Sequence, residues 1–167
     1  MIAFPPGLAR SIFRVQEAAL RRPTFACLAE LERSQWQSRA DIEAHQTLAL
    51  NHFLRGAAQH SPWHAQRLQA AGLDESVRHN QMQLTDLRRL PTMNKRDARE
   101  HIDQLVWRDA PGGIFKYTTG GSSGEPLSFY FGRKRQAADA AGRLRARRWW
   151  GVNPGDREVY YGVRRSS

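Results

Sequence analysis

The sequence predicts an α/β protein: a mainly helical N-terminal region over residues 1–110, then the first strands and helix of an α/β domain over 111–167. Three observations predict it. Apolar residues recur at helical spacing in the N-terminal region, as Leu8, Ile12, Val15 and Ala19 do. After Pro111-Gly112-Gly113 the pattern changes to short aromatic and β-branched runs, Ile114 to Tyr117 and Leu127 to Phe131. A helical stretch from Arg133 to Trp150 then separates these from another strand-like run, Glu158 to Val163, and a helix between strands is the pattern of an α/β sheet.

The elements follow in order. A first helix carries Leu8 to Ala19 and stops at Pro23; a second opens with Thr24 as its expected cap and carries Phe25, Leu28 and Leu31. Ile42, Leu48, Leu50, Phe53 and Leu54 mark a longer helix from about Ala40 to Gln59. Ser61-Pro62 reads as cap and first position of another, running through Trp63, Leu68 and Ala71 to Gly72. A polar connection leads to two short pieces, TDLRRLP ended by Pro91 and NKRDAREHI begun by Asn94 as cap. The helix from Arg133 is expected to pack on the sheet, with Trp149 and Trp150 in a core or interface. Asp156 is expected to cap the Gly151–Asp156 turn that follows.

Composition bounds the function. At 167 residues, 40% hydrophobic and 25% charged, the chain suits one ordinary globular domain or a piece of a larger one. Cys27 is the only cysteine, which excludes an intramolecular disulfide and a cysteine-based zinc site; a small buried hydrophobe is its expected role. Pro5, Pro6, Arg10 and Arg14 interrupt the N-terminus, and no apolar run reaches membrane-spanning length, so the expected place is the cytoplasm. His45 and His52, and His60 and His64, share helical spacings but lack an HExxH pattern or acidic partners, so no metal site is expected.

The net charge of +10 invites a nucleic-acid reading. Of the 26 basic residues only Lys95, Lys116 and Lys134 are lysines; the arginines are spread along the chain. In the one dense cluster, Arg133, Lys134, Arg135, Arg143, Arg145, Arg147 and Arg148 fall all around a helix. A solvated face is the favoured reading. A non-enzymatic basic module that binds nucleic acid or an acidic partner stays open as the alternative.

Between the two β-type runs lies YTTGGSSGEP, Tyr117 to Pro126, with three glycines, four Ser/Thr residues and a proline. A hairpin needs only two to five connecting residues, so a simple turn leaves part of this loop unexplained. Glycines let backbone N–H groups turn inward and Thr118, Thr119, Ser122 and Ser123 add hydroxyls, a donor set that suits phosphate oxygens. The lysine-bearing P-loop is absent, because Gly124 is followed by Glu125 and Pro126. Gly120-Gly121-Ser122-Ser123-Gly124 fits the G-x-S-x-G elbow of α/β-hydrolases, yet a strand follows it and no histidine occurs after His101.

TTGGSSGEPL resembles the phosphate-binding signature of the adenylate-forming ligases, T-S-G-[ST]-T-G-x-P. Thr119, Gly121, Ser122, Ser123, Gly124 and Pro126 fall on its positions; Gly120 replaces the usual serine, and Glu125 takes the variable position. The flanking stretches HSPWHAQRLQAAGL, LTDLRRLPTMNKRDARE and RWWGVNPGDREVYYG look like the N-terminal part of the phenylacetate–CoA ligase group, which includes CapK-like and coenzyme F390 synthetase-like proteins. The resemblance covers about residues 45 to 165. It implies that Thr118, Thr119, Gly120, Gly121, Ser122, Ser123, Gly124 and Pro126 form a loop that cradles the phosphates of ATP, with Mg²⁺ as cofactor. A small-molecule carboxylate would then be converted to acyl-AMP and pyrophosphate, and coenzyme A would take the acyl group. The family's adenine and ribose motifs and its catalytic lysine have no match before Ser167. The chain is therefore expected to be a fragment or truncated product, inactive alone, whose partner is the remainder of a ligase or a second copy.

Overall fold

The structure, a computed structural model, describes residues 5–119 and 126–157. The strand expected over Glu158–Val163 lies outside the described residues. What is described is mostly helical with a small two-stranded antiparallel sheet, a mixed α/β composition. The described residues form two compact units, one of residues 5–35 with 133–157 and the other of residues 36–119 with 126–132.

The first unit holds α1 (Pro6–Ala19), α2 (Thr24–Ser34) and α8 (Arg133–Arg148). Pro6 starts α1, where its missing N–H would have no helical partner in any case. α2 packs on α8 through Leu28, Ala141 and Leu144, with Phe13, Phe25, Cys27 and Leu31 around them. Ala137 and Ala141 are fully buried, and side chains this small let two helices approach closely. Cys27 is half-buried there, as a small hydrophobe.

Three expectations in this unit change. Thr24 does not cap α2, since Pro23 holds the cap position. Its hydroxyl instead donates to the carboxylate of Glu17, which Arg22 also reaches at 3.4 Å. Glu17 is buried, and an unpaired buried carboxylate would be costly, so local capping yields to this bond. The regular stripe on α1 is also not core: Leu8, Ile12 and Val15 are exposed, and the helix turns Glu17 and the half-buried Phe13 inward. Phe13 meets Phe25 edge to face at 5.5 Å. Trp149 and Trp150 are 66% and 85% exposed rather than in the core of this unit, because they follow the last turn of α8, past its Ala137–Ala141–Leu144 stripe.

The turn after α8 forms as expected, with Asn153 N–H donating to the Asp156 carboxylate at 2.6 Å. Gly155 is required there. Its φ is +96°, and a Cβ would stand 2.4 Å from the Pro6 carbonyl oxygen.

The second unit runs α3 (Arg39–His60), α4 (Pro62–Ala70), α5 (Asp74–Arg78), a 3-10 turn at Leu84–Arg89, α6 (Lys95–Glu100), α7 (Ile102–Leu105), β1 (Ile114–Thr118) and β2 (Ser128–Gly132). The starts follow the sequence signals. Ser61 accepts from His64 N–H at 3.4 Å, and Asn94 accepts from Arg96 and Asp97 N–H at 2.8 and 3.0 Å. Gly72 ends α4 at φ +64°, and the Arg89 guanidinium donates to the carbonyls of Ala71 and Gly72 at 3.0 and 3.3 Å. The core is Leu54, Leu68, Leu73, Val77 and Met82, flanked by Leu50, Ala58, Ala71 and Leu90. Each such side chain stabilises by roughly 1.5–3 kcal/mol on burial. The segment read as a polar connection contains α5, whose Val77 enters this core.

Asn51 ties the unit together across the core. Its amide donates to the Met82 carbonyl at 2.9 Å and accepts from the Met82 N–H at 3.0 Å.

Candidate phosphate-loop site

β1 and β2 pair antiparallel, with Phe115 opposite Phe131, Tyr117 opposite Phe129 and Thr118 opposite Ser128. Because side chains alternate along a strand, Phe115, Tyr117, Phe129 and Phe131 share one face. Their rings stand 5.3 Å apart for Tyr117 and Phe129 and 6.5 Å for Phe115 and Phe131, so cross-strand aromatic pairs hold the ribbon. Tyr117 is 52% exposed, so this aromatic face is only partly covered.

The ribbon continues one pair beyond the strands. Thr119 N–H donates to the Leu127 carbonyl, and Leu127 N–H donates to the Thr119 hydroxyl oxygen, each at 2.9 Å. One pair back, the hydroxyls of Thr118 and Ser128 are 3.0 Å apart and share a hydrogen bond. This double closure forms a narrow neck from which the Gly/Ser segment emerges. Pro126 is exposed and lies just outside the ladder, where its lack of an N–H leaves no bond missing.

The geometry fixes what the neck can offer. The Thr119 hydroxyl uses a lone pair on Leu127, so its hydrogen stays available to an anion. Of the Thr118 and Ser128 hydroxyls, one hydrogen is used between them and the other remains to donate. Gly120, Gly121, Ser122, Ser123 and Gly124 lie outside the described residues. The structure thus brings Thr118 and Thr119 together at the base of the loop and places Pro126 at its return. Ser128 joins them, although composition gave it no distinction within an aromatic run; the signal that finds it is its register opposite Thr118.

The arginine-rich helix is more engaged than its composition suggests. Arg135 and Arg143 pair with Asp139 at 3.5 and 3.0 Å, and Arg148 pairs with Glu32. Arg133 donates to the Leu20 carbonyl at 2.8 Å, and Arg145 lies over the Trp149 ring at 5.5 Å.

Among the described residues no group of histidine, cysteine or carboxylate side chains is arranged to hold a metal ion. His64 is half-buried, and burial first, with the nearby Arg67 charge second, lowers its pKa below the ordinary 6.5. No helix among the described residues is long and apolar enough to cross a membrane. No family model, curated protein or solved structure matches the chain.

Proposed function

We propose that this chain is the N-terminal part of an ATP-dependent adenylate-forming ligase and that its hairpin loop holds the phosphates of ATP. The observation that carries the reading is the clasp between Thr119 and Leu127, which fixes both ends of a Gly/Ser loop while leaving hydroxyl hydrogens at its base. A cradle for phosphate needs donors held in place before the ligand arrives, since ordering them afterwards would offset the binding energy.

In the proposed reaction a carboxylate oxygen attacks the α-phosphorus of ATP and the bond to pyrophosphate breaks, giving acyl-AMP. A thiol, that of coenzyme A, then attacks the acyl carbon and releases AMP. The part assigned to this chain is to bind and orient the leaving pyrophosphate. Thr118 and Thr119 hydroxyls would donate to its oxygens, joined by Ser122 and Ser123 hydroxyls and by the N–H groups of Gly120, Gly121 and Gly124. Mg²⁺ would arrive with the nucleotide and offset phosphate charge, as no carboxylate cluster for it is found among the described residues. Groups that recognise adenine, ribose and the acyl chain are assigned to sequence beyond this chain.

The alternative, a basic module for nucleic acid, draws less support because Asp139 and Glu32 already pair with several arginines of α8. One titration separates the two. Magnesium tripolyphosphate added to the isotopically labelled chain is expected to shift the amide resonances of Thr119, Gly121 and Gly124, and Gly121→Val is expected to abolish the effect. Shifts confined to Arg133–Arg148, unchanged by Gly121→Val, would overturn the ligase reading in favour of a general polyanion site.

A further inference from the structure

A hollow of about 370 Å³ opens in the second unit between the C-terminal half of α3, the start of α4 and α7. Phe53, Gly56, His60, His64, Leu105 and Trp107 line it. Its lining contains no lysine, arginine, aspartate or glutamate, in a protein whose formal net charge is +10. Its polar groups are imidazoles and a hydroxyl, none of them a fixed charge. A lining of this kind suits an uncharged occupant.

The walls say more. The His60 and Trp107 rings are stacked, with centroids 3.7 Å apart and planes within 7° of parallel. Such a pair forms a flat aromatic platform on the wall, and flat rings are the partners that platforms of this kind select. Imidazole nitrogens of His52, His60 and His64 and the Ser61 hydroxyl supply hydrogen-bonding groups along a lining whose large apolar side chains are Phe53, Leu105 and Trp107. Burial holds His64 below its ordinary pKa and so favours its neutral imidazole, which both donates and accepts.

Gly56 is an independent observation. It lies in the middle of the 22-residue α3, where glycine costs about 1 kcal/mol relative to alanine. Among the described residues nothing requires it: its φ is not in the left-handed region, and a Cβ built there meets no atom within 4 Å. The space over Gly56 is open. A ligand lying against the helix backbone would require it to stay so.

We infer that this hollow is a binding site for an uncharged, planar aromatic molecule of one or two fused rings with a polar edge, stacked on the Trp107–His60 wall. It is separate from the proposed phosphate loop and does not rest on that reading. The volume accommodates a bicyclic ring and is small for a peptide helix.

The test uses the whole chain and three probes, with binding followed by chemical shifts of the Gly56 amide and the His64 ring. Indole is expected to bind; cyclohexanol and indole-3-carboxylate are expected to bind about tenfold more weakly or worse, for want of stacking and of a charge partner. Gly56→Leu fills the open space and is expected to abolish indole binding while leaving the thermal midpoint unchanged or higher, since leucine favours a helix. Trp107→Leu is expected to weaken indole at least about tenfold. Indole binding that survives Gly56→Leu, equal binding of cyclohexanol, or no shift at millimolar indole would each overturn the inference.

Discussion

Thr119 and Leu127 are joined by two hydrogen bonds of 2.9 Å, one backbone to backbone and one from the Leu127 N–H to the threonine hydroxyl. The second bond makes the side chain part of the hairpin's closure. Thr119→Val keeps the shape and removes the acceptor, so the Leu127 N–H loses its partner at a half-buried position. A loss of about 1 kcal/mol in hairpin stability is expected, while Thr119→Ser keeps most of it. Amide hydrogen exchange at Leu127 checks this: faster in Thr119→Val and near wild type in Thr119→Ser. Equal exchange in both would mean that the hydroxyl does not hold the neck.

Asn51 serves the second unit as a peptide group serves a sheet, giving and taking one hydrogen bond with the backbone of the fully buried Met82. The same amide also donates to the Thr47 carbonyl at 2.8 Å. Replacing it with leucine leaves two buried backbone groups unpaired, at a cost of about 2–4 kcal/mol. Denaturant unfolding of Asn51→Leu should show a lower midpoint with an unchanged slope. A midpoint within error of wild type would remove the clamp from the account of stability.

His64 links stability to pH, and the sign follows from the direction of its shift. Burial and Arg67 lower its pKa in the folded chain below the ordinary 6.5, so as pH falls the unfolded chain takes up the proton first. Stability is therefore fully present above pH 6.5 and is lost as pH drops through the folded value. Unfolding measured from about pH 7 to 5 should show a steeper decline for wild type than for His64→Gln. His52 and His60 line the same hollow and are present in both proteins, so the difference between the slopes isolates His64. Parallel slopes would contradict the assignment.

Much of the local structure was legible in the sequence because its signals act within a few residues. Ser61-Pro62, Asn94 and Gly72 start and stop helices through bonds to their near neighbours, and each acts where expected. The aromatic and β-branched runs Ile114–Tyr117 and Leu127–Phe131 likewise marked the two strands to within a residue at each end. α5 escaped notice, because its five residues give periodicity too little length to register. Thr24 misled for a different reason. As a residue at a helix start it looked like a cap, but a buried carboxylate seven positions earlier gained more from its hydroxyl than the helix end did.

For the candidate site, residue types named Thr118 and Thr119, and the signature that the loop resembles added Pro126. Ser128 and the role of the Thr119 hydroxyl emerged only with the register of the strands. The hollow beside Gly56 gave no sequence signal, since His60 and Trp107 are far apart in the chain and meet only after α3, α4 and α7 have packed.

By itself the sequence determined most of the helix and strand starts and the residue types of the loop, because capping, periodicity and turn preference are local. Only the tertiary structure decided which faces are core. Leu8, Ile12 and Val15 lie exposed while Glu17 is buried, and Arg148 of α8 pairs with Glu32 of α2. Burial depends on which surfaces meet, and that is a property of the packed chain rather than of any short stretch of it.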